Sequence, residues 1–291
     1  MAERALAAPI ARGSHPPRRL RIPVRHLVLA FIGILVAFPF YYMVSTSLKD
    51  AFEAAATPPT LIPEALHPEN YADALGREPW GTYFRNTIVI AVAVTAGELV
   101  TAVLAGYAFA RMTFRGQNVV FTIFLATLML PGEATLIPNF VLMSKRYLNL
   151  YDTLAVQIVP FLATAFSIFL LRQFFRSIPN ELQDAARIDG AGHLRFLWSV
   201  VLPISVPALV TVAIFAFLLS WNSFQWPLIM TSRPEVRPIQ VGLNSFRGEG
   251  AVTSYHLLMA ASAFVVAPIV ALYLVAQRQL IQGVARTGIR G

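Results

Sequence analysis

The chain reads as an all-α, polytopic membrane protein with about six transmembrane helices and one folded loop between the fourth and fifth. Three observations predict this. Charged residues make up 13% of the 291 and hydrophobic ones 56%, whereas a soluble domain carries about a quarter charged residues. The mean hydropathy is +0.61, too little polar side chain to cover a surface facing water. The apolar residues also gather into six stretches, near 24–44, 87–110, 119–143, 154–171, 204–219 and 257–276. A soluble protein with an oversized core is the alternative, and the composition argues against it.

Crossing the hydrocarbon layer takes roughly 20 apolar residues in a helix. Four of the stretches meet that length, and the fourth and fifth need interfacial flanks or a thinner bilayer. The first is too long for a secretory signal and no clean small-x-small cleavage site follows it, so it reads as a retained span. The third is interrupted by Pro131-Gly132 and Pro138, which predicts a kink or local unwinding because proline removes a backbone donor. Between the first two spans, residues 45–86 hold Pro58-Pro59, Pro63 and Pro68 with Tyr71, Trp80 and Tyr83, and read as a small folded outer cap.

The basic residues set orientation. Arg4, Arg12, Arg18, Arg19, Arg21 and Arg25 precede the first span, and Arg111 and Arg115 follow the second. Arg172, Arg176, Arg187 and Arg195 lie in the long loop, and Arg278, Arg286 and Arg290 in the tail. The other side holds the remaining eight of the 23. The positive-inside rule therefore puts both termini in the cytoplasm, and the net charge of +8 reads as topology and lipid contact, with no nucleic acid implied. With no cysteine, thiol and zinc-thiolate chemistry are excluded. The five histidines have no metal spacing.

The loop 172–203 is the most informative segment. Ser177-Ile178-Pro179 reads as a helix start, with serine as cap and proline in the first turn. Glu181 and Asp184 follow where the helix dipole favours acids, and Ala185 and Ala186 give a smooth surface. Asp189-Gly190 reads as the stop, with glycine able to take a left-handed cap, and a second short helix, near 192–201, leads to Leu202-Pro203. A short amphipathic helix held between two spans suits docking into a groove on another protein. An interfacial helix lying on lipid is the alternative, but such helices favour Lys and Arg opposite large apolar residues, and this one offers acids and alanines.

Asp184-Ala185-Ala186-Arg187-Ile188-Asp189-Gly190, then nine residues, then Val200-Val201-Leu202-Pro203, resembles the Glu-Ala-Ala loop of binding-protein-dependent ABC importer permeases. The family pattern is Glu-Ala-Ala, three residues, Gly, nine residues, Ile, one residue, Leu-Pro; aspartate at 184 and valine at 200 are conservative departures. Asn86-Thr87, Gly106 to Arg111, Ser220 to Leu228 and Gln277-Arg278 with Gly283 to Gly291 extend the likeness over nearly the whole chain, toward the carbohydrate-type, maltose-permease-like branch.

The resemblance implies a type I ABC importer permease fold in a bacterial inner membrane: a tail over 1–25, a permease domain over 26–276 and a tail over 277–291. It implies a second homologous permease, a dimer of ATPase subunits and an external solute-binding protein as partners. The solute would be a sugar, oligosaccharide, polyol or glycerol phosphate. ATPase coupling would fall to Glu181, Asp184, Ala185, Ala186, Asp189, Gly190, Ala191, Leu202 and Pro203, with the C-terminal tail also reaching the ATPases. The chain has no Gly-x-x-x-x-Gly-Lys-Ser/Thr loop, so ATP and Mg would be bound by the partner and this subunit would be neither catalyst nor cofactor carrier.

Three polar residues are candidates for the pathway. Glu98 lies within the second span, where an ionisable group faces the protein interior or a cavity. It reads equally as a substrate-binding acid and as a protonated or paired group between helices. Asn222 and Gln225 close the fifth span beside Trp221 and Trp226, whose amides and rings suit sugars, though the tryptophans read more simply as an interfacial belt. Glu133 reads as an acid near the outer interface. Two rival classes are weaker: a membrane hydrolase lacks Gly-x-Ser-x-Gly and His-Glu-x-x-His, and a proton-driven carrier calls for inverted repeats and more buried acids.

Overall fold

The computed structural model describes residues 24–247 and 254–287. The tail before Val24 and the last four residues, with the part of the 277–291 tail they represent, lie outside the described residues. In order, the helices are α1 (Val24–Ser47), α2 (Ala51–Ala54), α3 (Glu69–Arg77), α4 (Trp80–Arg111), α5 (Gln117–Thr127), α6 (Gly132–Met143) and α7 (Ala165–Ser177). They continue with α8 (Asn180–Ile188), α9 (His193–Phe196), α10 (Leu202–Ile204), α11 (Val206–Trp221), α12 (Gln225–Met230), α13 (Ile239–Leu243) and α14 (Tyr255–Thr287). No strand occurs among the described residues.

The chain divides after Tyr42 into two units. The first holds most of α1, which carries no Asp, Glu, Lys or Arg between Arg25 and Lys49 and is apolar on every side, the pattern of a helix with hydrocarbon around it. In the second unit α4 and the stretch Ala155–Ser177 are, like α1, long and apolar enough to cross a membrane. The pair α5–α6 is bent by 101° and the pair His193–Ile204 with α11 by 80°, which makes five spans if each bent pair counts as one. The sixth predicted stretch falls on α14, whose apolar described part is Tyr255–Ala271.

Three expectations need correction. Pro131 marks the break in the third stretch, but Pro138 lies inside α6 and does not interrupt it. The fourth stretch is not one regular helix: two 3-10 turns, Ala155–Gln157 and Val159–Phe161, precede α7, and Pro160 supplies no N–H for a continuous ladder. Ser177 is not the cap of the next helix. It closes α7, its hydroxyl donating to the Phe174 carbonyl at 2.7 Å, and Pro179 precedes α8 with no side-chain cap.

Residues 45–86 are organised by polar bonds to backbone. Asn70 Nδ2 donates to the carbonyls of Ser47 (2.9 Å) and Lys49 (2.8 Å), and the Trp80 indole N–H donates to Ala74 O at 2.9 Å. Asp50 caps α2 by accepting from the Glu53 and Phe52 amides, which holds its exposed carboxyl below the ordinary carboxylate range. Ala74, Trp80 and Tyr83 then join Ile239, Phe246, Leu257 and Val265 in one apolar cluster that ties α3, α4, α13 and α14 together.

Asp152 pins the loop before the fourth stretch to the segment after α12. Its Oδ1 accepts from Ser232 N (2.8 Å) and Arg233 N (3.1 Å), and its Oδ2 from Arg233 Nε (2.7 Å). Burial pushes this carboxyl up, and the Arg233 and Ser232 amides with the Arg233 guanidinium outweigh it, so it sits below its ordinary value.

The main core lies where α4 packs against α7 and α11. Gly106 sets the closest approach: a Cβ there would stand 3.2 Å from Arg172 N and from Leu171 Cβ, and 3.4 Å from Ile168 O. The contact is backbone against backbone and cannot yield by a rotamer change. Gly106→Val is expected to lower the denaturation midpoint of the detergent-purified protein by the equivalent of about 1–3 kcal/mol of overpacking. Gly76→Ala, whose Cβ meets nothing within 4 Å, should not lower the midpoint, since alanine favours the helix it lies in. Equal midpoints for both variants would contradict this packing.

Candidate functional site

Two features carry chemistry: the helix–turn–helix over 165–204 and a cavity between α4, the broken stretch 155–164 and α11–α12. The first begins at Arg111, the last residue of α4. Its Nε donates to Phe175 O at 3.0 Å, Nη2 donates to Phe175 O at 2.7 Å and to Ile178 O, and Nη1 donates to Asn180 Oδ1 at 2.6 Å. One guanidinium thus serves two carbonyls at the end of α7 and the first residue of α8. Arg172 repeats the device one turn away, donating to Phe109 O at 3.1 Å with its guanidinium 3.9 Å over the Phe121 ring of α5.

α8 ends as the Asp-Gly pair predicts. Gly190 has φ +74°, its amide donates to Arg187 O at 3.0 Å, and the Ala191 amide donates to Ala186 O at 2.8 Å, the paired bonds of a left-handed glycine cap. The helix has no buried residue. Gln183 and Ala186 are half-buried, Ala186 against the main core, and Glu181, Asp184, Ala185, Asp189 and Gly190 are exposed. Beyond the turn, Tyr107 of α4 reaches His193 Nδ1 at 3.1 Å. A π-helical turn, Leu197–Val201, then leads through α10 to the bend before α11.

The nine predicted coupling residues are therefore not one surface. Leu202 packs against the main core and Pro203 sits exposed at the bend, while Ala191 is half-buried at the cap. Sequence reasoning missed Ile188, which is 86% exposed on a mostly polar helix, and Leu194 and Trp198, at 67% and 68%. It also missed Arg111 as the clamp. The signal for Ile188 was present, an apolar residue inside an otherwise polar run; Arg111 had none, since its partners lie 64 to 69 residues away.

The second feature is a cavity of about 300 Å³, lined by Thr87, Ile90, Val94 and Glu98 of α4, Gln157, Phe161 and Thr164 of the broken stretch, and residues of α11–α12 including Ser220, Ser223 and Trp226. Glu98 is 5% exposed, and its Oε1 accepts the hydroxyls of Thr164 and Ser167, both at 2.5 Å. Thr164 is also the cap of α7, accepting from Ser167 N. The carboxylate therefore sits at the positive end of a helix that starts inside the membrane-depth body. Irregular backbone at such depth persists where protein or a cavity satisfies it. Here Gln157 Nε2 donates to Val236 O at 2.8 Å, Thr101 donates to Leu162 O at 2.5 Å, and the Trp226 indole N–H donates to Val156 O at 2.9 Å.

Asn222 and Gln225 do not line this cavity. Both are exposed, Asn222 Nδ2 donating to Leu218 O at 2.8 Å as α11 ends. Their neighbours Ser223 and Trp226 line it instead. Trp221 is not a belt residue: it is 5% exposed and stacks on Phe217, with Phe84 tilted against it. Glu133 is exposed in the first turn of α6, where an acid suits the helix dipole. Among the described residues no cluster of His, Asp or Glu could hold a metal ion.

Residues 99–286 match the family model described as binding-protein-dependent transport system inner membrane component. The sn-glycerol-3-phosphate transport system permease protein UgpE of Yersinia pestis bv. Antiqua (strain Antiqua) is 34% identical over 266 residues, 89% of this chain and 94% of that one. The arabinooligosaccharides transport system permease protein AraQ of Halalkalibacterium halodurans is 32% identical over 265 residues, 90% of this chain and 94% of that one. A solved bacterial ABC transporter involved in the import of the acidic polysaccharide alginate matches with TM-score 0.75 and 26% identity, over 88% of this chain and 94% of its own. The match spans more than half of the chain and the similarity to these permeases nearly all of it, and the chain belongs to the family of binding-protein-dependent transport system inner membrane components.

Proposed function

We propose that this permease subunit forms one side of the pathway of an ATP-driven importer for a sugar or sugar-like solute, and that α8 is the surface by which a partner ATPase moves it. A second, homologous permease completes the pathway, a dimer of ATPase subunits binds ATP and Mg, and an external solute-binding protein delivers the ligand. The observation that carries the reading is the state of α8: clamped at its start by Arg111, closed at its end by Gly190, yet without one buried residue. A helix fixed at both ends with Ile188 facing outward is built to be covered by something else. Glu181 and Asp184 on the exposed face fit a cleft with basic groups.

The distribution of arginine supports a cytoplasmic position for α8 and both termini, in the inner membrane of a bacterium. The relatives' solutes, a glycerol phosphate, arabinose oligosaccharides and alginate, are all polyhydroxylated, which supports that class here. Glu98 contributes the cavity wall to the pathway, and Asn222 and Gln225, exposed beside Ser223 and Trp226, belong to the face that the second permease would close. A second reading, in which Ile188, Leu194 and Trp198 rest on lipid, predicts no ATPase at this surface.

The complex purified from its own host through a tag on this chain separates the two. The wild type should bring down a second permease and a protein with a Gly-x-x-x-x-Gly-Lys-Ser/Thr phosphate loop. Asp184→Lys should keep the permease and reduce the ATPase by at least about tenfold, the loss of one well-placed charge pair plus a repulsion. Wild-type ATPase yield with Asp184→Lys would contradict the docking surface. In sealed vesicles, uptake should require ATP and persist with an uncoupler present. Uptake that survives ATP depletion and collapses with the uncoupler would identify a proton-driven carrier instead.

A further inference from the structure

The cavity beside α4 has a chemical bias that follows from its lining and deepens the permease reading, on which it rests. Glu98 is the only ionisable residue among those that line it. One oxygen of that buried carboxylate, Oε1, is taken by Thr164 and Ser167. The other, Oε2, has no hydrogen-bond partner among the described residues and is not sealed off inside the protein, so it stands at the cavity. Gln157, 3% exposed, also lines the cavity; its amide N–H₂ is committed to Val236 O, and its Oε1 is without a partner. Gln157 Oε1 is closed off within the wall, so the open polar atom is Glu98 Oε2, an acceptor. It calls for a ligand that donates.

A donor could be a cation or a hydroxyl. The charge of Glu98 is already answered on one side by two hydroxyls and by the positive end of α7. That end opposes a cation, and a neutral hydroxyl completes the carboxylate without adding charge. The remaining wall supplies hydroxyls at Ser220 and Ser223, which can both give and accept, and two aromatic rings, Phe161 and Trp226, edge to face with centroids 6.0 Å apart. The Trp226 N–H is held by Val156 O, so the ring offers the cavity its carbon surface. Hydroxyl-accepting atoms together with aromatic carbon match the two kinds of surface on a sugar ring. About 300 Å³ is at the lower end of small-molecule sites and suits one such ring.

We infer that this cavity receives one uncharged, polyhydroxylated ring of the transported solute through Glu98 Oε2, and that the same carboxylate rejects an anionic group at that position. An anionic substituent carried by the solute would then have to face the partner permease. Two carboxylates in a poorly solvated cavity repel each other strongly, whereas a hydroxyl in the same place is attracted.

The test uses the complete importer in lipid nanodiscs without its binding protein and three matched probes: D-glucose, D-glucuronate and D-glucosamine. Saturation-transfer NMR titrations give an apparent Kd for each. The wild type should bind glucose saturably, with glucuronate at least about tenfold weaker and glucosamine no tighter than glucose. Glu98→Gln, which keeps an acceptor for Thr164 and Ser167 and removes the charge, should bring glucuronate within about threefold of glucose. The wild-type ratios need no variant, so a misfolded Glu98→Gln still leaves the inference open to refutation. Glucuronate equal to glucose in the wild type, no saturable glucose binding, tighter binding of glucosamine, or a gap unchanged by Glu98→Gln would each overturn it. None of these results touches the co-purification of the ATPase, whose failure would remove the permease reading itself.

Discussion

The structure depends on how one arginine ends a membrane helix. Arg111 stands at the last position of α4 and places its guanidinium against Phe175 O, Ile178 O and Asn180 Oδ1. Charge-assisted bonds of this kind are worth about 1.5–3 kcal/mol each where they are shielded from water, and these fall on carbonyls at a helix end. The turn between α7 and α8 is thereby fixed to the end of α4. Gly106 lets the two helix backbones meet one turn earlier, and Arg172 returns a bond from α7 to Phe109 O. Three points within the last two turns of α4 are joined to α7 and its end, so a force applied at α8 reaches the spans with little slack. That rigidity is what a rigid-body switch between inward- and outward-facing states requires.

The same body is deliberately irregular on the other side of Glu98. Pro160 and the 3-10 turns before Thr164 leave backbone groups that water cannot serve at that depth. Side chains from α4 and α12 serve them, and the space left over is the cavity. Rigid coupling and an irregular, polar-lined cavity are thus carried by the same two helices, with Glu98 and Arg111 thirteen residues apart on α4. A change in the angle between α4 and α7 would alter both.

Much of this was legible in the sequence because it rests on local chemistry. The Asp189-Gly190 stop is a left-handed glycine cap, and Pro131 ends α5's apolar run, since both need only their neighbours. Glu98 was legible as buried because charge at mid-membrane must be enclosed. Direction was not legible: hydropathy gives the length of an apolar run but not the 101° and 80° bends within two of them. Ser177 was misread because Ser-Ile-Pro is the junction of two helices and favours a cap equally well when the serine belongs to the first. At the α11–α12 corner, Asn222 and Gln225 look outward while Ser223 and Trp226 look inward, a rotation of one residue that composition cannot resolve. Trp221 resembles an interfacial residue in sequence and is in fact enclosed by Phe84 and Phe217.

The central claim is that α8 moves with α4 because Arg111 joins them. Arg111→Gln removes the charge and most of the donors while leaving the exposed face of α8 as it was. In the reconstituted importer with its binding protein, the number of solute molecules taken up per ATP hydrolysed reads the joint directly. The account predicts that the ATPase remains bound at wild-type yield and that this ratio falls by about tenfold or more, as a loosened lever passes on less of the motion. An unchanged ratio, with the variant folded and the ATPase in place, would show that the joint at Arg111 does not transmit the motion.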